Sequence, residues 1–490
     1  MTEPSSGRPP RALGDMPPED FRREARRVVD WIADYLAEVE RYPVLARVRP
    51  GELREALPER PPETGEPMGE VLDDFERFVL PAVTHWNHPS FHGYFAVTGS
   101  GPGILGEMLS AALNINAMVW RSSPAGTELE EHTLDWLRDM LGLPDGFQGV
   151  LNDTASVSSL SALAAAREAA YPESRERGLF GLPPGRIYCS AEAHSSIDKA
   201  GIALGFGLDG VRRIETDAHF RLRPDALRAA IEEDIAGGVR PVALVATVGT
   251  TSTTSVDPVS EMADIAEAHG VWLHVDAAYA GAAAIAPELR PLFSGWERAD
   301  SVVMNPHKWL FTPVDCSALF CRRPDVLRRA FSLTPEYLRT AEHGVATNLM
   351  DYGIALGRRF RALKLWFVMR YFGREGIAAR ILEHCRLARV FADRIEESDG
   401  WELAAPVPFS TVVFRWAPVG SDGPTQDRLN LELLEQVNAS GEAFLSHTAL
   451  RGRTWLRLSI GNLRTTEAHL ERTWTRVSEA AGSLAAAAAG

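Results

Sequence analysis

Short apolar runs that end beside a polar or nucleophilic side chain are what most constrains the fold of this chain. Residues 241–248 form one such run, and residues 271–275 form a second that leads directly into Asp276. Residues 301–304 form a third, and Lys308 follows shortly after it. Apolar runs of this length are typical of buried strands. Helical segments separate them, so we predict an α/β fold with a mostly parallel sheet and helices on both faces.

The ends of these strands are expected to gather reactive groups. In parallel sheets, ligands bind beyond the carboxyl ends of the strands, and Thr251, Asp276 and Lys308 all follow predicted strand ends. A carboxylate directly after an apolar run, such as Asp276, is costly unless a cation or a strong donor pairs with it. Burial disfavours a charged lysine and frees its amine as a nucleophile. We therefore expect the three side chains to share one crevice.

A further stretch, residues 148–156, has the composition of a phosphate-binding loop. A short predicted strand leads into Thr154, Ala155 and Ser156, and an alanine-rich helix follows. Backbone N–H groups and hydroxyls at a helix N-terminus form a cradle for phosphate. An ordinary helix cap is the alternative, and the Asp153 carboxylate beside a phosphate would need its own donor. A phosphate cradle, a paired carboxylate and a nucleophilic lysine together suit pyridoxal 5′-phosphate.

Composition excludes several other classes of protein. The chain has 490 residues with 45% apolar and 24% charged residues, and its net charge of −15 argues against nucleic-acid binding. We find no apolar run long enough to span a bilayer, so no membrane partner is expected. The four cysteines form no Cys-x-x-Cys pair, which argues against a zinc site and a disulfide framework. This cysteine usage favours the reducing cytoplasm.

The periodicity along the chain predicts three domains. Helical spacing over residues 21–40 and 71–80 predicts an N-terminal helical arm and dimerisation segment within residues 1–100. A large cofactor-binding domain is predicted at 101–365, and a smaller C-terminal α+β domain at 366–490. The alanine-rich end, 484–490, is predicted to be a frayed tail. An arm that cannot bury its apolar stripe alone packs on a partner subunit or on its own domain.

Five motifs together carry a resemblance to a known family. They are Ser-Pro-Ala-Gly-Thr-Glu-Leu-Glu at 123–130, Gly-Thr-Thr-Ser at 249–252, His-Val-Asp-Ala-Ala-Tyr-Ala-Gly at 274–281, Asn-Pro-His-Lys-Trp at 305–309 and Leu-Gly-Arg-Arg-Phe-Arg at 356–361. The chain resembles the group II pyridoxal-phosphate decarboxylases, specifically the aromatic-L-amino-acid decarboxylase family, over residues 21–474. The resemblance implies fold-type I, the aspartate-aminotransferase-like fold, with pyridoxal 5′-phosphate as cofactor. It also implies a homodimer with active sites at the subunit interface.

The resemblance further implies roles for individual residues. Lys308 would hold the aldehyde of the cofactor covalently, Asp276 would pair with the pyridinium nitrogen, and His194 would stack on the ring. Tyr337 would protonate the substrate carbon after CO₂ leaves, whereas phenylalanine at this position would favour the aldehyde-forming branch of the family. The other implied cofactor contacts are Thr154, Ala155, Ser156, Thr251, Asn305 and His307.

Substrate choice is the part of the resemblance where this chain departs most from the family pattern. Animal members have Tyr-Phe-Pro-Thr where this chain has Tyr-Phe-Ala-Val at 94–97, and Val97 offers no side-chain hydrogen bond. Gly357 resembles plant members that prefer indoles, which favours tryptophan. Asn116 and Met118 stand where the pocket wall tends to be apolar or aromatic. The expected substrate-contacting residues are Trp86, Tyr94, Phe95, Val97, Asn116, Met118 and Gly357.

The expected reaction is decarboxylation of an aromatic L-amino acid (tryptophan, tyrosine, phenylalanine or dihydroxyphenylalanine) to the amine and CO₂. An aldehyde-forming decarboxylase and a decarboxylase of a non-aromatic amino acid are alternatives on the same scaffold. An aminotransferase could use Arg457 to hold the substrate carboxylate, although the decarboxylase motifs argue against it. A non-catalytic cofactor-binding homologue would be expected to lack Lys308, Asp276 or Tyr337, and all three are present.

Overall fold

The computed structural model describes residues 14–95, 97–333 and 346–489. The chain divides into two compact units, Met1–His88 and Pro89–Gly490. Within the described residues, no helix is both long enough and apolar enough to cross a membrane. The domain boundaries expected near residues 100 and 365 remain predictions.

The N-terminal unit is helical, as expected for an arm. Its α-helices are α1 (Pro18–Glu38), α2 (Glu52–Ala56) and α3 (Met68–Asp74). Within this unit, Arg27 of α1 donates a hydrogen bond to Asp73 of α3 at 2.6 Å. Trp31 of α1 packs edge-on against Phe75, with ring centroids 5.2 Å apart. α1 has no fully buried residue.

The second unit is built on a seven-stranded sheet with the order β1-β7-β6-β5-β4-β2-β3. Strands β2 to β6 run parallel to one another, and β7 is antiparallel to both β6 and β1. The carboxyl ends of β1, β4, β5 and β6 therefore lie along one edge. The strands are β1 (Gln148–Asn152), β2 (Gly185–Ser190), β3 (Val211–Ile214), β4 (Arg240–Thr247), β5 (Trp272–Asp276), β6 (Ser301–Met304) and β7 (Ser317–Cys321).

Helices cover both faces of this sheet, as predicted. Alternate residues of β4 enter different core clusters, with Leu244 and Ala246 on one face and Ala243 and Val245 on the other. This alternation explains why the strands read as continuous apolar runs rather than as alternating patterns. The helices are α4 (Gly101–Leu113), α5 (Pro124–Leu141), α6 (Ala155–Ala170), α7 (Ser174–Arg177), α8 (Ser196–Ala203), α9 (Pro224–Ala236), α10 (Val259–His269), α11 (Pro306–Trp309) and α12 (Pro324–Phe331).

A second, antiparallel sheet forms the expected α+β part. Its strands are β8 (Trp401–Leu403), β9 (Thr411–Trp416), β10 (Ser446–Leu450) and β11 (Arg453–Ser459), in the order β10-β11-β9-β8. Its helices are α13 (Arg361–Glu396), α14 (Gly423–Ser440) and α15 (Glu467–Ala489). Helix α13 is interrupted at Gly373, whose φ of +65° is a left-handed conformation that glycine adopts readily. The apolar side chains of these strands and helices form a separate hydrophobic core.

The hydrophobic pattern predicted the bounds of the main strands to within one residue. The prediction about the end of the chain was wrong. The alanine-rich segment 484–490 was expected to be a frayed tail, yet α15 continues through it to Ala489. Alanine has the highest helix propensity of all residues, so a run of alanines extends an existing helix instead of ending it. Strands β3, β8 and β10 were not predicted, because each is short and partly exposed.

Candidate active site

Lys308 lies where the sequence placed it, just beyond the carboxyl end of a buried strand. All four residues of β6 are buried, and the chain then turns into the single helical turn α11, which carries Lys308. Burial lowers the pKa of the Lys308 amine, the guanidinium of Arg457 lowers it further, and the carboxylate of Asp276 acts in the opposite direction. The Nζ atom lies 5.1 Å from the centroid of the Phe95 ring. Lys308 is thus a partly desolvated amine, suited to act as a nucleophile.

Asp276 is the last residue of the neighbouring strand β5, and it is only 6% exposed. One carboxylate oxygen, Oδ1, accepts a hydrogen bond from the N–H of Ala278 at 3.1 Å. Because β5 and β6 are parallel, Asp276 and Lys308 lie at the same edge of the sheet. The buried carboxylate therefore faces a site where a cationic ring nitrogen would compensate its charge.

The predicted phosphate loop forms the start of α6. Thr154 takes an extended conformation at the N-cap, and Ala155 begins the helix. The N–H groups of a first helical turn have no acceptor within the helix, so those of Ala155 and Ser156 can donate to an anion. Asp153 does not oppose this arrangement, because its Oδ1 accepts hydrogen bonds from the N–H and the hydroxyl of Thr154. The loop can hold phosphate without a bare carboxylate beside it.

His194 follows β2 at the same edge of the sheet. Its Nδ1 accepts a hydrogen bond from the backbone N–H of Ser196 at 3.2 Å, and Ser196 Oγ lies 2.9 Å from the same atom. Desolvation lowers the pKa of the imidazole, so the neutral ring, with its proton on Nε2, is the form favoured at neutral pH. Its ring is fixed by these contacts while it remains exposed to the cavity described below.

Asn305 and His307 flank Lys308 from within the same motif. His307 Nδ1 accepts a hydrogen bond from the N–H of Cys316 at 2.9 Å, and burial lowers the pKa of His307 to about 4. The ring is therefore neutral at pH 7, and its proton resides on Nε2. The side-chain amide of Asn305 lies 3.3 Å from that atom, and because Nε2 carries the proton, the amide oxygen is the group that accepts from it.

These side chains surround one cavity of about 240 Å³. The residues that sequence analysis assigned to this site and that line the cavity are Phe95, Thr154, Ala155, Ser156, His194, Thr251, Asp276, Asn305, His307 and Lys308. Their chemistry fits pyridoxal 5′-phosphate, because a nucleophilic amine, a buried carboxylate and a helix N-terminus all line the same cavity. The unpartnered hydroxyl oxygen of Thr247 also belongs to this wall, and a buried polar atom of this kind calls for a polar ligand.

The other expected substrate residues lie elsewhere. Tyr94, Val97, Asn116, Met118 and Gly357 do not contribute to the wall of this cavity. Trp86 belongs to the N-terminal unit, and Tyr337 lies outside the described residues. Asn116, Met118 and Gly357 nevertheless form one group, because Asn116 Nδ2 lies 3.6 Å from Met118 Sδ and would lie 3.9 Å from a Cβ atom at position 357.

Sequence reasoning missed several residues of the site. Tyr279 lines the cavity, stacks on Phe95 with ring centroids 3.9 Å apart, and stacks on Trp309 at 4.7 Å. It stands within the motif at 274–281, so its position was a usable signal. Thr247, Gly249 and Ala278 also line the cavity, and each lies beside a predicted strand end.

The sequence suggested Arg457 only as a ligand for the substrate carboxylate of an aminotransferase. It is 4% exposed, and its guanidinium lies over the Phe95 ring at 4.4 Å. Nε donates to the carbonyl of Ser252 at 3.2 Å, and Nη1 donates to the carbonyl of Tyr94. Nη2 has no partner among the described residues. Arg457 therefore fixes the backbone on two sides of the cavity and adds positive charge near Lys308.

Comparison with known proteins places this site in a family. Residues 50–417 match the model of the pyridoxal-dependent decarboxylase conserved domain. The chain is 40% identical over 478 residues to tryptophan decarboxylase TDC2 of Camptotheca acuminata, covering 95% of each chain. It is 41% identical over 484 residues to a phenylacetaldehyde synthase of Arabidopsis thaliana, covering 97% of this chain and 98% of that protein.

A solved structure agrees with the sequence comparison. The crystal structure of Oryza sativa TDC with PLP and tryptamine superposes with a TM-score of 0.93 at 36% identity, covering 96% of this chain and 99% of that chain. The fold-type I architecture and the cofactor expected from the sequence are thereby confirmed. The protein belongs to the pyridoxal-dependent decarboxylases, and pyridoxal 5′-phosphate is its cofactor.

Proposed function

We propose that this enzyme decarboxylates an aromatic L-amino acid to the corresponding amine and CO₂. The observation that carries the proposal is the convergence of Lys308, Asp276 and the loop Thr154–Ser156 on one cavity. The similarity to plant enzymes named as tryptophan decarboxylase and phenylacetaldehyde synthase supports an aromatic substrate. Phe95, stacked on Tyr279, gives the cavity an aromatic wall, which an acidic substrate would not favour.

Each residue has a defined task in this proposal. When bound, pyridoxal 5′-phosphate supplies a ring that accepts the electron pair left behind by the departing carboxylate. Lys308 would hold the cofactor through its aldehyde, and its amine would give way to that of the substrate. Asp276 keeps the ring nitrogen protonated by offering a buried negative charge. The neutral imidazole of His194 provides a flat face against which the ring stacks.

The remaining polar groups anchor the cofactor. The N–H groups of Ala155 and Ser156 donate to the phosphate, and Thr154, whose hydroxyl is held by Asp153, supports them as the N-cap residue. Further contacts come from Thr251, Asn305 and His307. Because Nδ1 of His307 accepts from the N–H of Cys316, the ring carries its proton on Nε2, where it fixes the side-chain amide of Asn305. Anchoring fixes the orientation of the bond that breaks, which converts binding energy into rate.

Tyr337 is proposed as the acid that delivers a proton to the substrate carbon after CO₂ has left. Positioned general acids of this kind contribute roughly 10²–10⁴-fold to rate. The substrate side chain is proposed to contact Trp86, Tyr94, Phe95 and Val97, together with the group Asn116, Met118 and Gly357. These assignments rest on the motif resemblance.

We further propose a homodimer in the cytoplasm, with active sites at the subunit interface. The apolar side chains of Leu105, Met108, Leu109 and Leu113 repeat along one face of α4 and are each 39–59% exposed. Phe21 of α1 is 64% exposed, and a second copy of the chain would cover such surfaces. All four cysteines are buried and free, which suits a reducing compartment.

Product identification tests the proposal. The purified, cofactor-loaded enzyme is incubated separately with tryptophan, tyrosine, phenylalanine, dihydroxyphenylalanine, histidine and glutamate, and the products are identified by mass spectrometry. An aromatic amine with CO₂ supports the proposal. Aldehyde without amine would support the alternative, an aldehyde-forming decarboxylase, which the similarity to the phenylacetaldehyde synthase favours. In air-saturated buffer, where dissolved O₂ is the oxidant that aldehyde formation requires, Tyr337→Phe is expected to lower amine release and to increase aldehyde. Unchanged amine without aldehyde would refute the role of Tyr337.

A further inference from the structure

We propose that His274 is a positioning residue, which fixes the start of α6, where the cofactor phosphate would bind, relative to Asp276, where the ring nitrogen would bind. This inference rests on the placement of pyridoxal 5′-phosphate given under the proposed function. His274 is not among the described residues that line the cavity. It acts through the elements that do, by holding two anchors of the cofactor at the separation that one molecule needs.

His274 lies in β5 and is fully buried, yet both of its ring nitrogens have a partner. Nδ1 lies 2.9 Å from the hydroxyl oxygen of Ser301 in β6, and Nε2 lies 3.1 Å from the hydroxyl oxygen of Ser159 in α6. The indole Nε1 of Trp272 donates to the same oxygen of Ser301 at 2.9 Å. The imidazole thus joins β5, β6 and α6, which are the three elements that carry the main anchors of the cofactor.

The link between His274 and Ser159 lies just below the cavity. Asp276 is two residues beyond His274 in β5, and Ala155 is one helical turn before Ser159 in α6. Because a residue rises about 3.3 Å in a strand and about 1.5 Å in a helix, each anchor is about 6 Å from the link along its own element. A slide of α6 along β5 would therefore change the separation of the two anchors directly.

Packing alone gives α6 little resistance to such a slide. Apart from Leu163 and Glu168, its buried residues are all alanine or serine. Side-chain ridges resist sliding where they interlock, and small side chains make shallow ridges. Directional hydrogen bonds therefore decide the position of the helix. Ser158 provides a second attachment, since its Oγ lies 2.8 Å from Oγ of Ser317 in β7, but only Ser159 reaches β5 through His274.

The imidazole makes this link as a neutral group. Burial lowers the pKa of His274 to about 4, although the carboxylate of Asp276 acts in the opposite direction. A neutral imidazole has one donor and one acceptor, which suits one hydroxyl group at each nitrogen. An apolar side chain of the same size would preserve the packing, but it would not fix the position of Ser159 along the strand.

The test measures the dissociation constants of two ligands for the cofactor-free enzyme: pyridoxal 5′-phosphate, and pyridoxal, which lacks the phosphate. Only the first ligand must meet both anchors, so only its affinity depends on their separation. Ser159→Ala removes the hydroxyl group, and alanine preserves the helix. We expect this variant to bind pyridoxal 5′-phosphate about 3–10-fold more weakly, as for the loss of one hydrogen bond, and to bind pyridoxal within about twofold of wild type.

Two further comparisons separate positioning from general support of the fold. Ser161→Ala is the matched control, because Ser161 is buried in the same helix and its hydroxyl group has no partner among the described residues. It should leave both dissociation constants unchanged. At position 274, glutamine places its amide near the site of Nε2, whereas asparagine places it near the site of Nδ1. His274→Gln should therefore bind pyridoxal 5′-phosphate about 3-fold or more tightly than His274→Asn.

The possible failures are distinguishable. If Ser159→Ala weakens both ligands equally, or weakens neither, the inference is overturned while the proposed function stands. If Ser159→Ala does not fold, the two variants at position 274 decide, and equal affinities for pyridoxal 5′-phosphate overturn the inference. If wild type binds pyridoxal as tightly as pyridoxal 5′-phosphate, the proposed placement of the phosphate is overturned and the inference falls with it. Circular dichroism verifies the folding of each variant.

Discussion

Arg358 and Glu130 form a buried ion pair, with Arg358 Nη2 2.5 Å from Glu130 Oε1, and the two side chains are 5% and 1% exposed. Both also hold the end of β1, because Glu130 Oε1 accepts a hydrogen bond from the N–H of Leu151 and Arg358 donates to the carbonyl of Leu151. Leu151 is three residues before Thr154, where the phosphate loop begins. The ion pair thus joins the motifs at 123–130 and 356–361, which are far apart in sequence, and through it both motifs support the strand that precedes the phosphate loop.

Removing one member of this pair should be more damaging than removing both. Arg358→Met leaves a buried, unpaired carboxylate, and we expect the free energy of unfolding to fall by about 3–5 kcal/mol. The double variant Arg358→Met with Glu130→Leu should recover much of this loss, because no charge remains buried. It should still bind pyridoxal 5′-phosphate more weakly, since the N–H of Leu151 loses its acceptor.

The measurements are urea unfolding, with the midpoint and slope reported separately, and the dissociation constant of the cofactor. Arg359→Met is the matched control, because Arg359 pairs with Glu107 and its side chain is 48% exposed. A double variant no more stable than Arg358→Met would contradict the prediction, as would cofactor affinity equal to that of wild type.

Lys308 and Lys364, both of them desolvated, should differ completely in their link to the cofactor. Burial lowers the pKa of both Lys308 and Lys364, the latter to about 8, but only Lys308 lines the cavity. Lys308→Ala should abolish the borohydride-reducible link to pyridoxal 5′-phosphate and reduce kcat by several orders of magnitude. Lys364→Met should retain that link, because Lys364 pairs with Glu107 at 2.9 Å instead. Peptide mapping after borohydride reduction shows which lysine carries the cofactor in each variant. A cofactor-labelled peptide from Lys308→Ala would refute the assignment of Lys308 as the lysine that binds the cofactor.

The charge of Arg457 should set the pH at which Lys308 reacts. Its guanidinium lowers the pKa of Lys308, so Arg457→Met should raise that pKa and leave less neutral amine at a given pH. We expect covalent capture of pyridoxal 5′-phosphate by the cofactor-free enzyme to shift to higher pH. Arg457→Lys retains the charge and should keep the wild-type profile, whereas a purely structural role would make both variants alike. The rate of imine absorbance against pH is the measurement, with Arg451→Met as the control.

Three buried histidines should make the fold sensitive to acid. Burial lowers the pKa of His274, His307 and His384 to about 4 each, whereas an unfolded histidine has a pKa near 6.5. Below pH 6.5 the unfolded chain therefore binds more protons than the folded one, and stability falls until pH reaches about 4. Each histidine should cost about 2 kcal/mol between pH 7 and pH 5.

His384 is the residue with which to test this. Its Nδ1 accepts from Trp309 at 3.0 Å, its Nε2 lies 3.1 Å from the carbonyl of Asn462, and glutamine can replace both contacts. The stability of His384→Gln should fall less between pH 7 and pH 5 than that of wild type, by about 2 kcal/mol. The measurement is urea unfolding at several pH values. If the free energy of unfolding depends on pH identically in the two proteins, His384 is excluded as a source of the acid sensitivity.

The sequence by itself determined the main strands, their order along the chain and the reactive residues at their ends, although it did not predict β3, β8 and β10. Lys308 and Asp276 could be assigned because a buried strand is a local pattern, and a polar residue directly after it is visible without knowledge of the fold. The phosphate loop could be predicted in the same way, because the start of a helix depends mainly on the residues within it. Even Tyr279 stood within a recognisable motif.

Only the tertiary structure decided which distant side chains meet. Arg358 and Glu130 are 228 residues apart, and Arg457 and Tyr94 are 363 residues apart. The antiparallel placement of β7 between β1 and β6 likewise leaves no local trace in the sequence. Hydropathy reports whether a residue is buried, but the identity of its partner depends on the order of strands in the sheet. That order is set by packing across the whole domain, which is why these contacts could not be predicted from the sequence.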